Sequence, residues 1–193
     1  MYRNGGVEII PNSNGEINTP SIVTVLSEDK ILRGEETFNY YLEENYEESI
    51  YGIKRYIGRE CDKRCLEEIK HEKFPFQIIE NKNTRYPLIS INKNNKIIQF
   101  TLEEILSFII KEMIDNAEAY LNKKINKLVI AVPCNFNDSQ KNSIKRAVEL
   151  AEVNVIGIIS EPVAAALAYN YTNIFFSSKI NEQYEEKKYW FLI

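Results

Sequence analysis

The feature of the sequence that most constrains the fold is a strand–helix–strand pattern between residues 128 and 159. The run LVIAV at 128–132 is continuously apolar and has the length of a strand, which is typical of a strand covered on both faces. A similar run, VIGII, occupies 155–159. A crossover of this kind predicts two parallel strands, with the intervening helix packed on their sheet.

Two helices are predicted from capping-box patterns, in which a polar residue and a Glu or Gln three positions later bind the free backbone N–H groups of the first turn. Asn137 and Gln140 begin the crossover helix, and Thr101 with Glu104 begins a longer helix that should end near residue 121. The buried side of the crossover helix is expected to consist of Ile144, Ala147, Val148 and Ala151.

The first hundred residues contain signals for short strands and turns. Asn-Gly pairs at 4–5 and 14–15 mark turns, and with strands at 7–10 and 21–26 they predict a β-meander. A short amphipathic helix is predicted from 35 to about 45, with Phe38, Tyr41 and Leu42 on one side. Further strands are expected at 76–79, 88–91 and 97–100.

Charge and length exclude several classes of partner. The chain has 193 residues, with 24 Lys and Arg against 28 Asp and Glu, and the two signs are interspersed, which argues against a nucleic-acid partner. No apolar run approaches the roughly 20 residues that span a bilayer, so we expect a soluble protein without a membrane partner.

The three cysteines favour a reducing compartment, with the cytoplasm as the default, because their spacing is not that of a disulfide framework. Cys61, Cys65 and His71 could be proposed as soft metal ligands. Structural zinc normally takes four ligands in close pairs, so we expect no metal site here.

Two residues lie where a ligand site is expected. In open α/β sheets ligands bind beyond the carboxyl ends of the parallel strands, which is where Pro133 and Glu161 fall. Glu161 could equally complement the positive end of the helix that Pro162 begins. The sequence leaves both interpretations open, because it contains neither a Gly-rich phosphate loop nor a Ser/His/Asp triad.

Several blocks, in the right order between about residues 7 and 169, resemble the nucleotide-binding domain of the 70-kDa heat-shock chaperone family. They are VEIIPNSNGEINTPSIV (7–23), GIKRYIGRE (52–60), FTLEEI (100–105), AEAYL (117–121), VIAVPCNFNDSQ (129–140) and NVIGIISEPVAAALAY (154–169).

The resemblance implies an α/β fold, namely an actin-like, ribonuclease-H-like lobe with a mixed sheet, flanking helices and a smaller α+β subdomain. It assigns residues 1–22 and 102–193 to the sheet-helix core of the first ATPase lobe, and residues 23–101 to the smaller subdomain.

The resemblance also implies roles for five residues. Lys54 is similar to the family's catalytic lysine, which contacts the γ-phosphate and the attacking water, and Glu161 to the acid that acts through water and Mg²⁺. Pro133 resembles the family's proline switch, and Arg55 its interlobe neighbour. Lys141 stands where the family usually has an arginine that couples to the proline; a lysine lacks the planar fork of arginine and couples more weakly.

The resemblance also implies that parts of the family's domain are missing from this sequence. The family's two phosphate loops and its second lobe are absent, so the chain is interpreted as truncated at both ends, with residues 172–187 as an insertion or drifted segment. We expect such a piece to be marginally stable alone or to associate, because sheet edges would be left unpaired.

The first hypothesis is therefore a part of the ATP-binding, ATP-hydrolysing domain of a molecular chaperone, with ATP or ADP and Mg²⁺ as ligands. Implied partners are the second lobe, a peptide-binding domain, co-chaperones and unfolded polypeptides. We expect the chain alone to be inactive, since preorganised phosphate contacts supply most phosphoryl-transfer catalysis. The alternative is a non-enzymatic remnant or interaction module that binds no nucleotide. Another actin-like ATPase or a sugar kinase is a third option, but the sequence has no sugar-site signature.

Overall fold

The computed structural model describes residues 2–3, 6–27, 30–42, 49–93, 96–168 and 191–192. Across these ranges the protein is a mixed α/β structure of short sheets and helices, so the predicted fold class is confirmed. The predicted insertion at 172–187 lies outside the described residues, and the proposed division into 1–22 with 102–193 and 23–101 stays a prediction.

The N-terminal strands form two separate sheets. In chain order the elements are β1 (Tyr2–Arg3), β2 (Gly6–Val7), β3 (Ile22–Ser27), β4 (Lys30–Arg33), α1 (Gly34–Leu42) and β5 (Ser49–Tyr51). β1 pairs antiparallel with β2, as the turn signal at 4–5 predicted, whereas β3 lies between β4 and β5. The single β-meander is therefore wrong, because β3 finds its partners after it in the chain, and the strand predicted at 7–10 is confined to Val7.

Helix α1 occurs where it was predicted, although its apolar side chains remain outside the core. Gly34 and Thr37 are its buried residues, while Phe38 and Leu42 are exposed. Its predicted end near residue 45 lies outside the described part of the chain.

A 3₁₀ turn at Ile53–Arg55 follows β5 and leads to the middle of the chain. Its elements are α2 (Lys63–Glu72), β6 (Gln77–Glu80), β7 (Pro87–Lys93) and β8 (Lys96–Thr101). The three strands form an antiparallel sheet with β7 in the centre, which confirms all three predicted segments. Helix α2 was not predicted; the Asp62 side chain caps it by accepting a hydrogen bond of 2.7 Å from the N–H of Cys65.

The second half contains the predicted parallel unit. Its elements are α3 (Leu102–Leu121), β9 (Lys127–Val132), α4 (Asp138–Leu150), β10 (Asn154–Ser160), a helix α5 at residues 161–168, and β11 (Phe191–Leu192). β9 lies between β10 and β11 and runs parallel to both. Among the helices that the structure describes, none is both long and apolar enough to cross a membrane.

Both predicted capping boxes are confirmed. The Thr101 hydroxyl accepts from the N–H of Glu104 at 3.2 Å, and the Glu104 carboxylate accepts from the N–H of Thr101 at 2.7 Å. Asn137 and Gln140 exchange the corresponding bonds at 2.9 Å and 3.3 Å. These bonds fix the first residues of α3 and α4, and so fix how each helix leaves the preceding strand.

One continuous hydrophobic core joins the sheets through α3. Isoleucines of α3 pack in the same buried cluster as Ile50 of β5, Ile89 of β7 and Leu128 of β9. The predicted buried side of α4 is confirmed, since Ile144, Ala147 and Val148, together with Ala151, are buried in this cluster as well. The helix α3 therefore holds the strands that carry the candidate site in fixed relative positions.

We expect Thr101→Ala to lower the free energy of unfolding by about 1 kcal/mol, because the hydroxyl that binds the N–H of Glu104 is lost. Thr101→Ser keeps that hydroxyl and should stay within about 0.5 kcal/mol of the parent. Urea unfolding followed by circular dichroism measures both. Equal losses for the two variants would show that the methyl group of Thr101, not its hydroxyl, stabilises the start of α3.

Candidate functional site

Lys54 is presented by a tightly held turn. After β5, Gly52 adopts a left-handed conformation with φ of 70°, which reverses the chain into the 3₁₀ turn. Ile53 is buried in the core and anchors this turn. The Lys54 side chain remains 43% exposed, so its ammonium group is fixed at the root and accessible at the tip.

The segment after Lys54 packs against the first turn of α4. Tyr56 and Ile57 are buried, and Gly58 has φ of 66°. A Cβ atom at Gly58 would lie 2.6 Å from Cα of Gln140 and 2.9 Å from its backbone nitrogen, so only glycine allows this approach. The turn that carries Lys54 thus lies directly beside the helix that follows Pro133.

Glu161 begins α5 immediately after β10. Ser160, the last residue of β10, pairs with Val132, the last residue of β9. Pro133 and Glu161 therefore leave the sheet at the same edge, as the parallel topology predicted. The Glu161 side chain is 38% exposed.

The structure brings Lys54 and Glu161 into contact although 107 positions separate them. Nζ of Lys54 donates a hydrogen bond of 2.6 Å to Oε1 of Glu161. Because both side chains remain partly exposed, such a pair contributes only about 0.2–1 kcal/mol to stability. A ligand can therefore separate the pair at low cost and use the ammonium group as a donor and the carboxylate as an acceptor.

The other three predicted residues have partners of their own. The carbonyl of Pro133 accepts from the N–H of Phe136 at 3.1 Å. Lys141 forms an ion pair of 3.8 Å with Asp138 within α4. Arg55 donates to Glu72 of α2 at 2.8 Å.

Sequence reasoning missed how α2 and Gly58 support the site. Besides Arg55, Arg59 also binds α2, donating to Glu68 at 2.7 Å, and this hydrogen bond lowers the pKa of Glu68. The available signals were Asp62, a favoured N-cap residue, and a glycine four positions after Lys54. The contact of that glycine with α4 left no signal of its own in the sequence.

The cysteines differ sharply in their surroundings. Cys61 and Cys65 are buried, and burial raises the pKa of Cys61 to about 11 and also raises that of Cys65. Cys134, which follows Pro133, is exposed. Within the described ranges, no three His, Cys, Asp or Glu side chains are grouped so that they could hold a metal ion.

Comparisons with known proteins agree on one family. The family model described as Hsp70 protein matches residues 1–174. The chain is 38% identical over 170 residues to heat shock cognate 70 kDa protein 3 of Dictyostelium discoideum, and 37% identical over 170 residues to heat shock 70 kDa protein 2 of Paracoccidioides lutzii. Each match covers 88% of this chain but 26% and 25% of the respective relative, so the chain spans about a quarter of their length.

We expect Cys134 to react rapidly with a disulfide reagent such as dithionitrobenzoate in the native protein, because it is the exposed thiol. Cys61 and Cys65 should react only after urea is added, since burial holds both as neutral thiols. The variant Cys134→Ser should lose the rapid phase. Rapid native-state modification of Cys61 or Cys65, located by mass spectrometry, would contradict this burial.

Proposed function

The chain belongs to the Hsp70 protein family, and on that premise we propose that it forms the phosphate-facing part of an ATP-binding domain in a chaperone of this family. The observation that carries the proposal is the Lys54–Glu161 ion pair of 2.6 Å, at the edge where β9 and β10 end. This is where ligands bind in parallel α/β sheets.

The chemistry of the pair fits the polyphosphate end of a magnesium nucleotide. The ammonium group of Lys54 is a point charge with three donors, which suits a terminal phosphate. The carboxylate of Glu161 accepts hydrogen bonds only, which suits the water molecules that Mg²⁺ retains. When bound, Mg²⁺ would neutralise charge on the phosphate oxygens.

In the free protein, the Lys54 ammonium group and the Glu161 carboxylate can each exchange the other for a ligand. In the absence of ligand, each group neutralises the other, so neither charge is left without a partner. A phosphate that approaches Lys54 replaces Glu161 as its partner, and the released carboxylate can then accept from a water molecule. The positions of both groups are maintained meanwhile by the buried Ile53 and by β10.

Pro133, Arg55 and Lys141 are proposed to relay the state of this site. Pro133 leaves the sheet beside Glu161, Arg55 follows Lys54 directly, and Lys141 lies in the first half of α4. A change of partner at Lys54 would reach Arg55 through the adjoining peptide, Lys141 through its neighbour Gln140, which packs against Gly58, and Pro133 through the strand end beside Glu161. Lysine at 141 should make this relay weaker than an arginine would.

Hydrolysis, client binding and co-chaperone contact are proposed for a full-length protein of this family. The 193 residues contain no Gly-rich phosphate loop, so binding without turnover is expected of the chain alone. We also propose a reducing compartment, with the cytoplasm as the default, because the three cysteines are free.

A second candidate function is an interaction module that binds no nucleotide. The observation in its favour is the ion pair itself, because Glu161 already neutralises the cation that a phosphate would need. In that case the pair would serve only to hold the start of α5 against the turn at Ile53–Arg55.

Isothermal calorimetry of the purified chain with Mg²⁺-ADP and Mg²⁺-ATP distinguishes these functions. We expect binding of both nucleotides, and Lys54→Ala and Glu161→Ala should each weaken ATP binding by at least about tenfold, since a hydrogen bond to a charged group is worth about 1.5–3 kcal/mol.

The matched control is Lys124→Ala. Lys124 forms an equally short ion pair of 2.6 Å with Glu118, but it precedes β9 and so lies at the opposite edge of the sheet. Its substitution should leave binding unchanged. Absence of binding heat from a folded sample, or equal weakening by Lys124→Ala, would exclude the nucleotide site and favour the interaction module.

A further inference from the structure

We propose that Gly58 is a positioning residue, whose backbone contact with the first turn of α4 holds Lys54 beside Glu161. The value of that position for nucleotide binding rests on the proposed function, whereas the position itself is a property of the free chain. Gly58 lies four residues after Lys54 and contributes no side chain to the ion pair.

The contact leaves no room for a side chain. A Cβ atom at Gly58 would meet Cα of Gln140 at 2.6 Å, although ordinary contact begins at 3.4 Å, a shortfall of 0.8 Å. The carbonyl oxygen of Ser139 would lie 2.9 Å away. Because these obstacles are backbone atoms, no change of side-chain rotamer can relieve them.

A displacement at Gly58 would be passed back to Lys54. The two preceding residues, Tyr56 and Ile57, are 2% and 0% exposed, and the ring of Tyr56 packs edge-on against Phe74. Close-packed interiors transmit a shift of this size instead of absorbing it. The turn that carries Lys54 would therefore move relative to α4.

The other side of the contact is fixed to Glu161. The capping box of Asn137 and Gln140 holds the first turn of α4, and the hydroxyls of Tyr86 and Ser139 lie 3.3 Å apart. α4 is joined through Pro133 to β9, whose register with β10 sets the position of Glu161. Gly58 thus connects the turn of Lys54 to α4, and through β9 and β10 to Glu161.

The ion pairs between this segment and α2 cannot do the same. They join Arg55 to Glu72 and Arg59 to Glu68, and in both pairs solvent reaches the charged groups. They also fasten the segment to α2, whereas Glu161 directly follows β10, which packs against α4. Backbone packing at Gly58 constrains the segment more strongly, and it does so against α4, the helix connected to the strands that position Glu161.

Zero-length coupling with a carbodiimide tests the proposal in the native chain without nucleotide. The reagent joins an amine and a carboxylate only where they touch, and the Lys54–Glu161 and Lys124–Glu118 pairs are both 2.6 Å long. The second pair is therefore an internal standard. Mass spectrometry gives the ratio of the two cross-linked peptides.

We expect Gly58→Ala to lower this ratio at least about fivefold, because coupling requires contact distance. The matched control is Gly157→Ala, since Gly157 is as far from Glu161 in sequence as Gly58 is from Lys54. A Cβ atom there would meet only the Val129 side chain, at 3.6 Å and 3.8 Å, so the ratio in this variant should equal that of the parent.

A second variant keeps the test decisive if Gly58→Ala does not fold. Asn137→Ala removes the side-chain cap from the N–H of Gln140 and should lower the ratio about twofold, because the surface that Gly58 contacts loosens. An unchanged ratio in every folded variant, or an equal fall in Gly157→Ala, would overturn the proposal. If the ratio falls in Gly58→Ala and not in Gly157→Ala, but the chain binds no nucleotide, only the proposed function is refuted.

Discussion

Burial of one helix, α3, is the interaction on which the remainder of the structure depends. Its isoleucines Ile105, Ile109, Ile110 and Ile114 all lie in the core, and burial of each such side chain stabilises the fold by about 1.5–3 kcal/mol. α3 contacts α4, β3 and the turn that carries Lys54. α4 in turn contacts β10, the strand that precedes Glu161, so the two halves of the candidate site are connected through α3 and α4.

Sequence patterns of a few neighbouring residues correctly located helix starts and strands. The capping boxes at Thr101 and Asn137 located two helix starts correctly, and the two apolar runs located β9 and β10, because each pattern is contained in a few neighbouring residues. Helix α2 escaped prediction because its apolar face is short, consisting of buried Cys65 and partly buried Leu66 and Ile69 among charged residues. The pairing of β3 with β4 and β5 depended on partners that its own sequence does not specify.

The candidate site could be predicted as a set of residues but not as a geometry. Family resemblance pointed to Lys54 and Glu161 separately, and the parallel topology placed Glu161 at the correct edge of the sheet. Their contact spans 107 positions and results from tertiary packing. The role of Gly58 was hidden for the same reason, because a glycine required by a distant backbone looks in sequence like any other turn glycine.

Within the site, different contacts set the position of Lys54 and supply its charge partner, and they differ in strength. Position is set by groups that exclude solvent, namely Ile53, Ile57 and the Gly58 backbone, whereas charge is supplied by a partly exposed ion pair. A fully buried pair would leave an uncompensated charge when separated and would resist a ligand. At the observed exposure, Lys54 can exchange one anionic partner for another while its backbone stays in place. A site that must bind and release a charged ligand requires this combination of a rigid frame and a weak ion pair.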